Sequence, residues 1–372
     1  MDSALADLVE RVRAARAYKT ALDIQGGGTK AFYGEAPQGL PLDVTGLAGV
    51  SSYEPSELVV TARAGTPLAE LQALLAESGQ CLPFEPPSFA AAAPSPGAPG
   101  ARGATVGGMV AAGLAGPARA AVGGVRDYVL GATLLNGRAE VLNFGGTVMK
   151  NVAGYDVSRV LAGSMGCLGV ICEVSLKVLP VAHATLTLRL EMDEAQAIQR
   201  INEWGGQPLP LNASAWWEGT LVVRLSGAVA AVRAARERLG GELVQADMAA
   251  GFWTGLCDHS DEFFAAAALA VQGGAGLWRL AVPATTPPLR LRGEQLIEWG
   301  GAQRWLCTST PAATVRGAAT AAGGHATLFR SLDKRAGVFT PLKPAQERIQ
   351  RALKASFDPD GLFNRGRLYP GL

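Results

Sequence analysis

Paired cysteines are missing from this chain. Its five cysteines, Cys81, Cys167, Cys172, Cys257 and Cys307, form no C-x-x-C pair. That argues against an iron–sulfur cluster or a zinc site within it, and an odd count suits a reducing cytoplasm. Histidine is scarcer still: His183, His259 and His325 stand far apart, so no metal site is expected. Clustered charge is also absent. Only 17% of residues are charged, 33 basic against 32 acidic, with no dense Lys/Arg run, and nothing electrostatic recommends a nucleic-acid partner. The apolar stretch 263–271 is far shorter than the ~20 residues a membrane helix needs. Residues 2–19 carry charges throughout and do not read as a signal peptide. A cytoplasmic location is expected, with membrane association only indirect, through partners.

What is present is apolar residues, 48% of 372, enough for a sizeable core and two or three domains. Leu5, Leu8, Val9 and Val12 recur at helical spacing. A short strand over 21–24 runs into Gln25-Gly26-Gly27-Gly28-Thr29-Lys30, and 58–62 reads as another. Thr66 is a candidate N-cap, Pro67 a first helical residue and Gly79 a stop. Strands at 129–135 and 140–144 flank Asn136-Gly137, read as a hairpin turn needing positive φ. From 184 the rhythm changes to strand 184–190, helix 193–204, strands 211–217 and 220–225, helix 228–239 and strand 242–245. That order, βαββαβ, is the ferredoxin-like unit. A second set follows, with strand 277–282, helix 288–299, strand 303–307, helix 312–322 and strand 325–330. The tail reads as a helix over 344–357 and then a turn-rich end, too short for its own core and expected to return to the first domain. Residues 90–103, rich in Ala, Pro and Gly, read as an extended surface loop.

Three glycines after a strand let backbone approach a phosphate, and their N–H groups can form an anion-binding nest. Gly26, Gly28 and Ala31 mimic the G-x-G-x-x-A dinucleotide fingerprint, but 32–37 (FYGEAP) follows where that fold demands a long helix. A Walker loop needs Gly-Lys-Ser/Thr, which is absent; an ordinary tight turn remains the other reading. Two further clusters exist. One is Thr105-Val106-Gly107-Gly108-Met109, and the other spans 162–171, with Gly163, Ser164, Gly169, Val170 and Ile171.

In order and spacing these three clusters resemble the vanillyl-alcohol oxidase/PCMH-type superfamily of flavoproteins. Tyr53-Glu54-Pro55, Phe84-Glu85-Pro86-Pro87, Lys150-Asn151-Val152-Ala153-Gly154-Tyr155-Asp156 and the closing stretch 357–367 narrow the likeness. They resemble the glycolate oxidase and D-lactate dehydrogenase branch, in particular its smaller flavin subunits. The resemblance implies an α+β fold with a PCMH-type FAD-binding domain over 1–180, a ferredoxin-like antiparallel-sheet cap domain over 181–340, and a tail, 341–372, returning to the first. It implies FAD held by Gln25, Gly26, Gly27, Gly28, Thr29, Lys30, Pro87, Thr105, Val106, Gly107, Gly108, Lys150, Gly163, Ser164, Gly169, Val170 and Ile171. Tyr155 and Asp156 would fix the turn beside the flavin. Thr29 stands where many members carry a covalently flavinylated His, so non-covalent FAD is expected. The stretch 90–103 is longer than the usual link between Pro87 and Thr105.

Oxidising a 2-hydroxy acid needs a cation for the carboxylate and a base for the hydroxyl proton, with hydride passing to flavin. Arg279 is the candidate clamp, with an exposed sheet arginine as the plain alternative. His325 lies near where the family's His motif would fall, but without partners, and a structural role is the alternative. Lys150 either neutralises charge near the cofactor or is a surface lysine, and Trp216-Trp217 reads as core and rim. The resemblance also implies two partner proteins, a larger flavin-containing catalytic subunit bearing the metal and base and an iron–sulfur subunit. Two roles stay open: a redox-active subunit acting on small 2-hydroxy acids, up to a stand-alone dehydrogenase, or a catalytically idle structural partner.

Overall fold

The computed structural model describes residues 2–89, 103–146 and 156–372. The stretch at 90–102 and the positions Lys150 to Tyr155 lie outside the described residues. The chain divides into two compact units, Met1–Leu114 with Gly124–Pro180 and Pro341–Leu372, and Ala115–Gly123 with Val181–Thr340.

In the first unit β1 (Leu22–Gln25) pairs in parallel with β2 (Leu40–Asp43), Leu22 against Leu40. β3 (Val50–Glu54), β4 (Val59–Arg63), β6 (Val129–Leu135), β7 (Val141–Gly145) and β8 (Val170–Lys177) form an antiparallel sheet ordered β3-β4-β8-β6-β7. The two-residue strands β5 (Gln80–Cys81) and β9 (Leu179–Pro180) pair separately. β4, β6 and β8 are buried along nearly their whole length, which is why they read as continuous apolar runs rather than alternating ones. The helix Ser3–Ala17, capped by Asp2, buries Leu8, Val9 and Val12 in a core with Leu22, Leu42, Leu135, Val170 and Phe363. Leu22 also forms a parallel bridge with Phe363, so the chain's end extends the β1–β2 ladder.

Two local expectations fail here. The helix Leu68–Glu77 takes Pro67 as its N-cap, because the Thr66 hydroxyl is engaged with the carbonyl and amide of Gly49. Asn136-Gly137 is not the positive-φ pair: the left-handed residue of that loop is Ala139, at φ 60. Gly137 is glycine because a Cβ there would lie 2.4 Å from Asp358 Oδ1.

The second unit is built on one eight-stranded antiparallel sheet. Its strands are β10 (Ala184–Glu191), β11 (Leu211–Trp217), β12 (Thr220–Gly227), β13 (Glu242–Val244), β14 (Gly276–Ala281), β15 (Glu294–Glu298), β16 (Gln303–Thr308) and β17 (His325–Arg330), ordered β13-β10-β12-β11-β15-β16-β14-β17. Numbered within each half, these are the ferredoxin-like orders 4-1-3-2 and 2-3-1-4, joined where β11 meets β15. Helices Glu194–Gly205 and Val229–Leu239 cover the first half, and Ala312–Ala321 the second.

The helix expected over 288–299 is absent. Residues 294–298 form β15, in register with β16 from Glu294↔Cys307 to Glu298↔Gln303. Gly293, at φ 130, passes so close to the Cys307 carbonyl that a Cβ would sit 2.2 Å from it. Leu289 and Leu291 pack on the core of the second half from a coil. Strand pairing therefore overrides local propensity. Among the helices that the sequence pattern did not announce are Ala246–Asp258 and Glu262–Gln272.

Candidate functional site

β1 delivers the chain into the glycine run. Gln25 still belongs to the ladder, its carbonyl accepting from Val44 N, and its side chain donates to Asp23. Among the described residues, the amides of Gly26, Gly27, Gly28 and Thr29 meet no protein acceptor. Gly28 holds φ 75 with open space where a Cβ would point. A side chain is strained in that conformation, and an acceptor supplied from outside would satisfy the amides.

The first two glycines are demanded by packing. A Cβ at Gly26 would sit 2.5 Å from Thr105 Oγ1, and one at Gly27 1.5 Å from the Gly103 carbonyl oxygen. The second cluster is thus laid directly against the first. Thr105 caps the helix Val106–Ala112 through Gly108 N, while the amides of Val106 and Gly107 donate to Thr66 and Ala64. Gly107 fits because a Cβ would lie 2.6 Å from that of Ala64.

The third cluster is tied to the far end of that helix. Gly163 N donates to Val110 O and Met165 N to Ala111 O, and Gly163, at φ 80, faces open space. Gly163 and the buried Ser164 border a cleft of ≈ 240 Å³ with Arg126, Arg159 and Lys354. Gly169 abuts the Leu135 carbonyl, and Val170 and Ile171 are buried in β8, so these three shape the sheet behind the loop. Pro87 is buried. Near it Phe89 approaches the first loop, its ring centroid 5.4 Å from Lys30 Nζ and 5.5 Å from the Phe32 ring. Lys30 Nζ also donates to Thr29 Oγ1. Asp156, the described end of the 150–156 stretch, pairs with Arg159 at 3.0 Å.

The tail supplies contacts that the sequence reading assigned to no residue. Ile24 N donates to Asn364 Oδ1 (2.7 Å), and Asn364 Nδ2 donates to Met165 O (2.6 Å). The Arg367 guanidinium donates to Ala31 O (2.7 Å) and Glu35 O (2.5 Å), just beyond the glycine run. Burial lowers its pKa, with nearby acidic groups acting the other way. Lys354 Nζ donates to Cys167 O, Asp358 and Phe363 O at 2.6, 2.7 and 2.9 Å. The sequence signals were the turn-rich composition of the tail and the likeness of the stretch 357–367 to the family, neither of which names a contact.

In the second unit Arg279 and His325 share a face of neighbouring strands, since Arg279 pairs with Thr327 and His325 with Ala281. The Arg279 guanidinium stands 5.6 Å from the Phe329 ring centroid, a cation–π arrangement. His325 begins β17 at the exposed end, and its pKa is lowered by desolvation and then by Arg279. His259 is enclosed by aromatic rings, stacked on Phe264 at 3.7 Å with Trp305 at 4.8 Å. Desolvation, then Arg330 and Arg279, push its pKa well below the usual histidine value. His183 is exposed. Among the described residues no three His, Cys, Asp or Glu side chains gather as a metal site, and no helix is long and apolar enough to cross a membrane.

A nest of open amides, positive-φ glycines facing space and two further glycine clusters packed beside them suit a dinucleotide pyrophosphate. The family described as an FAD binding domain matches residues 3–145. The fold is shared with a solved alkyldihydroxyacetonephosphate synthase, at TM-score 0.60 and 15% identity over 96% of this chain and 74% of that one. Fold and site together define an FAD-binding flavoprotein of the PCMH type, an oxidoreductase component. "D-lactate dehydrogenase" of Anaerostipes hadrus is 30% identical over 150 residues, 40% of this chain and 29% of the relative. "Glycolate oxidase subunit GlcE" of Escherichia coli K12 is 45% identical over 365 residues, 98% of this chain and 97% of the relative. The chain belongs to that family of glycolate oxidase subunits.

Proposed function

We propose that the chain is the FAD-binding subunit of a glycolate dehydrogenase complex. The complex oxidises glycolate, or a similar small 2-hydroxy acid, to the 2-oxo acid and passes the electrons to an iron–sulfur subunit. The observation that carries this reading is a single chain combining near-full-length kinship to a glycolate oxidase subunit with a cradle of four open amides. FAD is assigned to the first unit and is held without a covalent bond, Thr29 following the glycines where a histidine would otherwise attach it. The amides of Gly26 to Thr29 receive the pyrophosphate, and Thr105, Gly163 and Ser164 line the remainder. When bound, FAD supplies the acceptor for the hydride leaving the hydroxyl-bearing carbon. Arg279 is assigned to the substrate carboxylate. His325, with its pKa lowered, is neutral near pH 7 and able to accept a proton.

A second reading has this chain relay electrons, or only support the complex, while the larger flavin subunit carries the metal and base. It is favoured by the separation of the three histidines, one exposed, one enclosed by aromatic rings and one at a strand end. In either case the chain works in the cytoplasm and meets the membrane only through its partners. An absorbance spectrum of the purified chain, repeated after anaerobic glycolate, separates the readings. Flavin bands that bleach support an autonomous site around Arg279 and His325, whereas bands that persist assign the chemistry to the partner. A chain that neither carries nor takes up FAD overturns the flavin-subunit reading.

A further inference from the structure

We propose that residues 354–367 form a clasp that sets the shape of the pyrophosphate loop, with Asn364 and Arg367 as positioning residues for FAD. The inference rests on the flavin reading above. The loop at 26–29 makes no hydrogen bond of its own through its amides among the described residues, so its shape is set by the packing of Gly26 and Gly27 on 103–105 and by what holds its two ends. On the entry side, Leu22 N donates to Leu362 O, Asn364 N to Leu22 O and Ile24 N to the Asn364 side chain. On the exit side, Arg367 donates to Ala31 O and Glu35 O, and Glu35 N returns a bond to Arg367 O. A Cβ at Gly34 would lie 3.0 Å from the Arg367 carbonyl oxygen, so that turn is moulded on the arginine.

The same tail also grips the third glycine cluster. Asn364 Nδ2 donates to Met165 O, a Cβ at Gly166 would sit 2.6 Å from that nitrogen, and Lys354 donates to Cys167 O. Asn364 does this at φ 41, a left-handed conformation that asparagine tolerates better than most residues. Asn364 and Arg367 are 6% and 7% exposed, so these are buried, directional contacts, the kind that transmit a displacement. One short segment thereby ties the loop assigned to the pyrophosphate to the third glycine cluster, assigned to the remainder of the cofactor.

The test compares full-length wild type with Asn364→Ala, Arg367→Met, the conservative Arg367→Lys, and Arg365→Ala as an exposed control in the same tail. Flavin fluorescence quenching gives the FAD dissociation constant, and visible circular dichroism of the bound flavin reports its setting. The expected result is about tenfold or greater weakening for Asn364→Ala and Arg367→Met with an altered dichroism band. Partial recovery is expected in Arg367→Lys, and no change in Arg365→Ala. In parallel, FAD added to wild type should slow hydrogen exchange at Leu22, Ile24, Asn364 and Arg367 together. Where a variant does not fold, that exchange experiment decides. Protection confined to 26–29, or variants that bind FAD with wild-type affinity and dichroism, overturns the clasp alone. Wild type that takes up no FAD overturns both the clasp and the flavin reading.

Discussion

Each unit buries a cation whose main duty is to hold backbone carbonyls, and the two cations differ in what they hold. In the first unit Lys354 donates to the carbonyls of Cys167 and Phe363, with Asp358 as its counter-ion at 2.7 Å. In the second, Arg304, wholly buried, donates to the carbonyls of Gly301 and Thr286 and lies 3.6 Å from Glu194. The acceptors of Lys354 belong to the third glycine cluster and the tail. Those of Arg304 flank the coil and strand that stand where a crossover helix was expected. The stability of the first unit is therefore built from the same residues as the site proposed for its cofactor, whereas the second uses its buried cation to hold the coil and strand beside its sheet.

Lys354→Met tests that statement hardest. It leaves the Asp358 carboxylate, 1% exposed, with only the amides of Leu362 and Phe363. Removing one partner of a buried pair costs about 3–5 kcal/mol. Urea unfolding should show that loss, and FAD titration should show weakened binding alongside it. A destabilised variant with wild-type FAD affinity would break the comparison. Arg304→Met should cost somewhat less, roughly 3 kcal/mol, because Glu194 keeps 22% side-chain exposure and can rehydrate. Its FAD affinity should match wild type. If it falls as in the lysine variant, the two units are not separable in this way.

A smaller effect, confined to the second unit, is a dependence on pH. Asp261 caps the helix Glu262–Gln272, and desolvation raises its pKa from 3.8 to about 6. The folded state therefore keeps this proton to higher pH than the unfolded state. Stability from this group is lost as pH rises from about 4 to about 6 and stays lost above that. Asp261→Asn keeps a capping side chain without the charge. It should be more stable than wild type by ~1–2 kcal/mol at pH 7.5 and no different at pH 4. His259 acts with the opposite sign. Its pKa is depressed in the folded state, so stability falls as pH drops below the unfolded value of 6.5. The Asn variant should expose that acid limb as a steady decline, measured by urea midpoints across the range. A variant gain that is equal at both pH values would remove Asp261 as its source.

The units also differed in how much could be read from sequence. The glycine clusters were legible because glycine at a phosphate turn leaves a local signature, and here Gly26 and Gly27 are required by contacts as close as 1.5 Å. The tail clasp was not legible: Asn364 and Arg367 act on residues more than 300 positions earlier, and no local pattern encodes such a partner. In the second unit the first half followed its periodicity. β15 did not, because Leu289, Leu296 and Ile297, at i, i+7 and i+8, fit a helical stripe as well until pairing with β16 decides.

The hairpin turns make the same point on the smallest scale. Asn136-Gly137 looked like a two-residue turn with positive φ, yet the loop is longer, its left-handed residue is Ala139, and Asn136 Oδ1 instead accepts from the amides of Arg138 and Glu140. The tight turn is Glu218-Gly219 in the second unit, where Trp217 pairs with Thr220 and both loop residues have positive φ, 45 and 79. Glutamate gains nothing from that conformation, whereas asparagine tolerates it and Asn-Gly is the preferred pair for such loops. Both residues are exposed, so no packing intervenes. Glu218→Asn should therefore raise stability by roughly 0.5–1 kcal/mol, with the thermal midpoint moving up and FAD affinity untouched. An unchanged or lower midpoint would mean that backbone strain at Glu218 is already relieved, and that the turn, like the one at Asn136, is set by contacts rather than by its own residues.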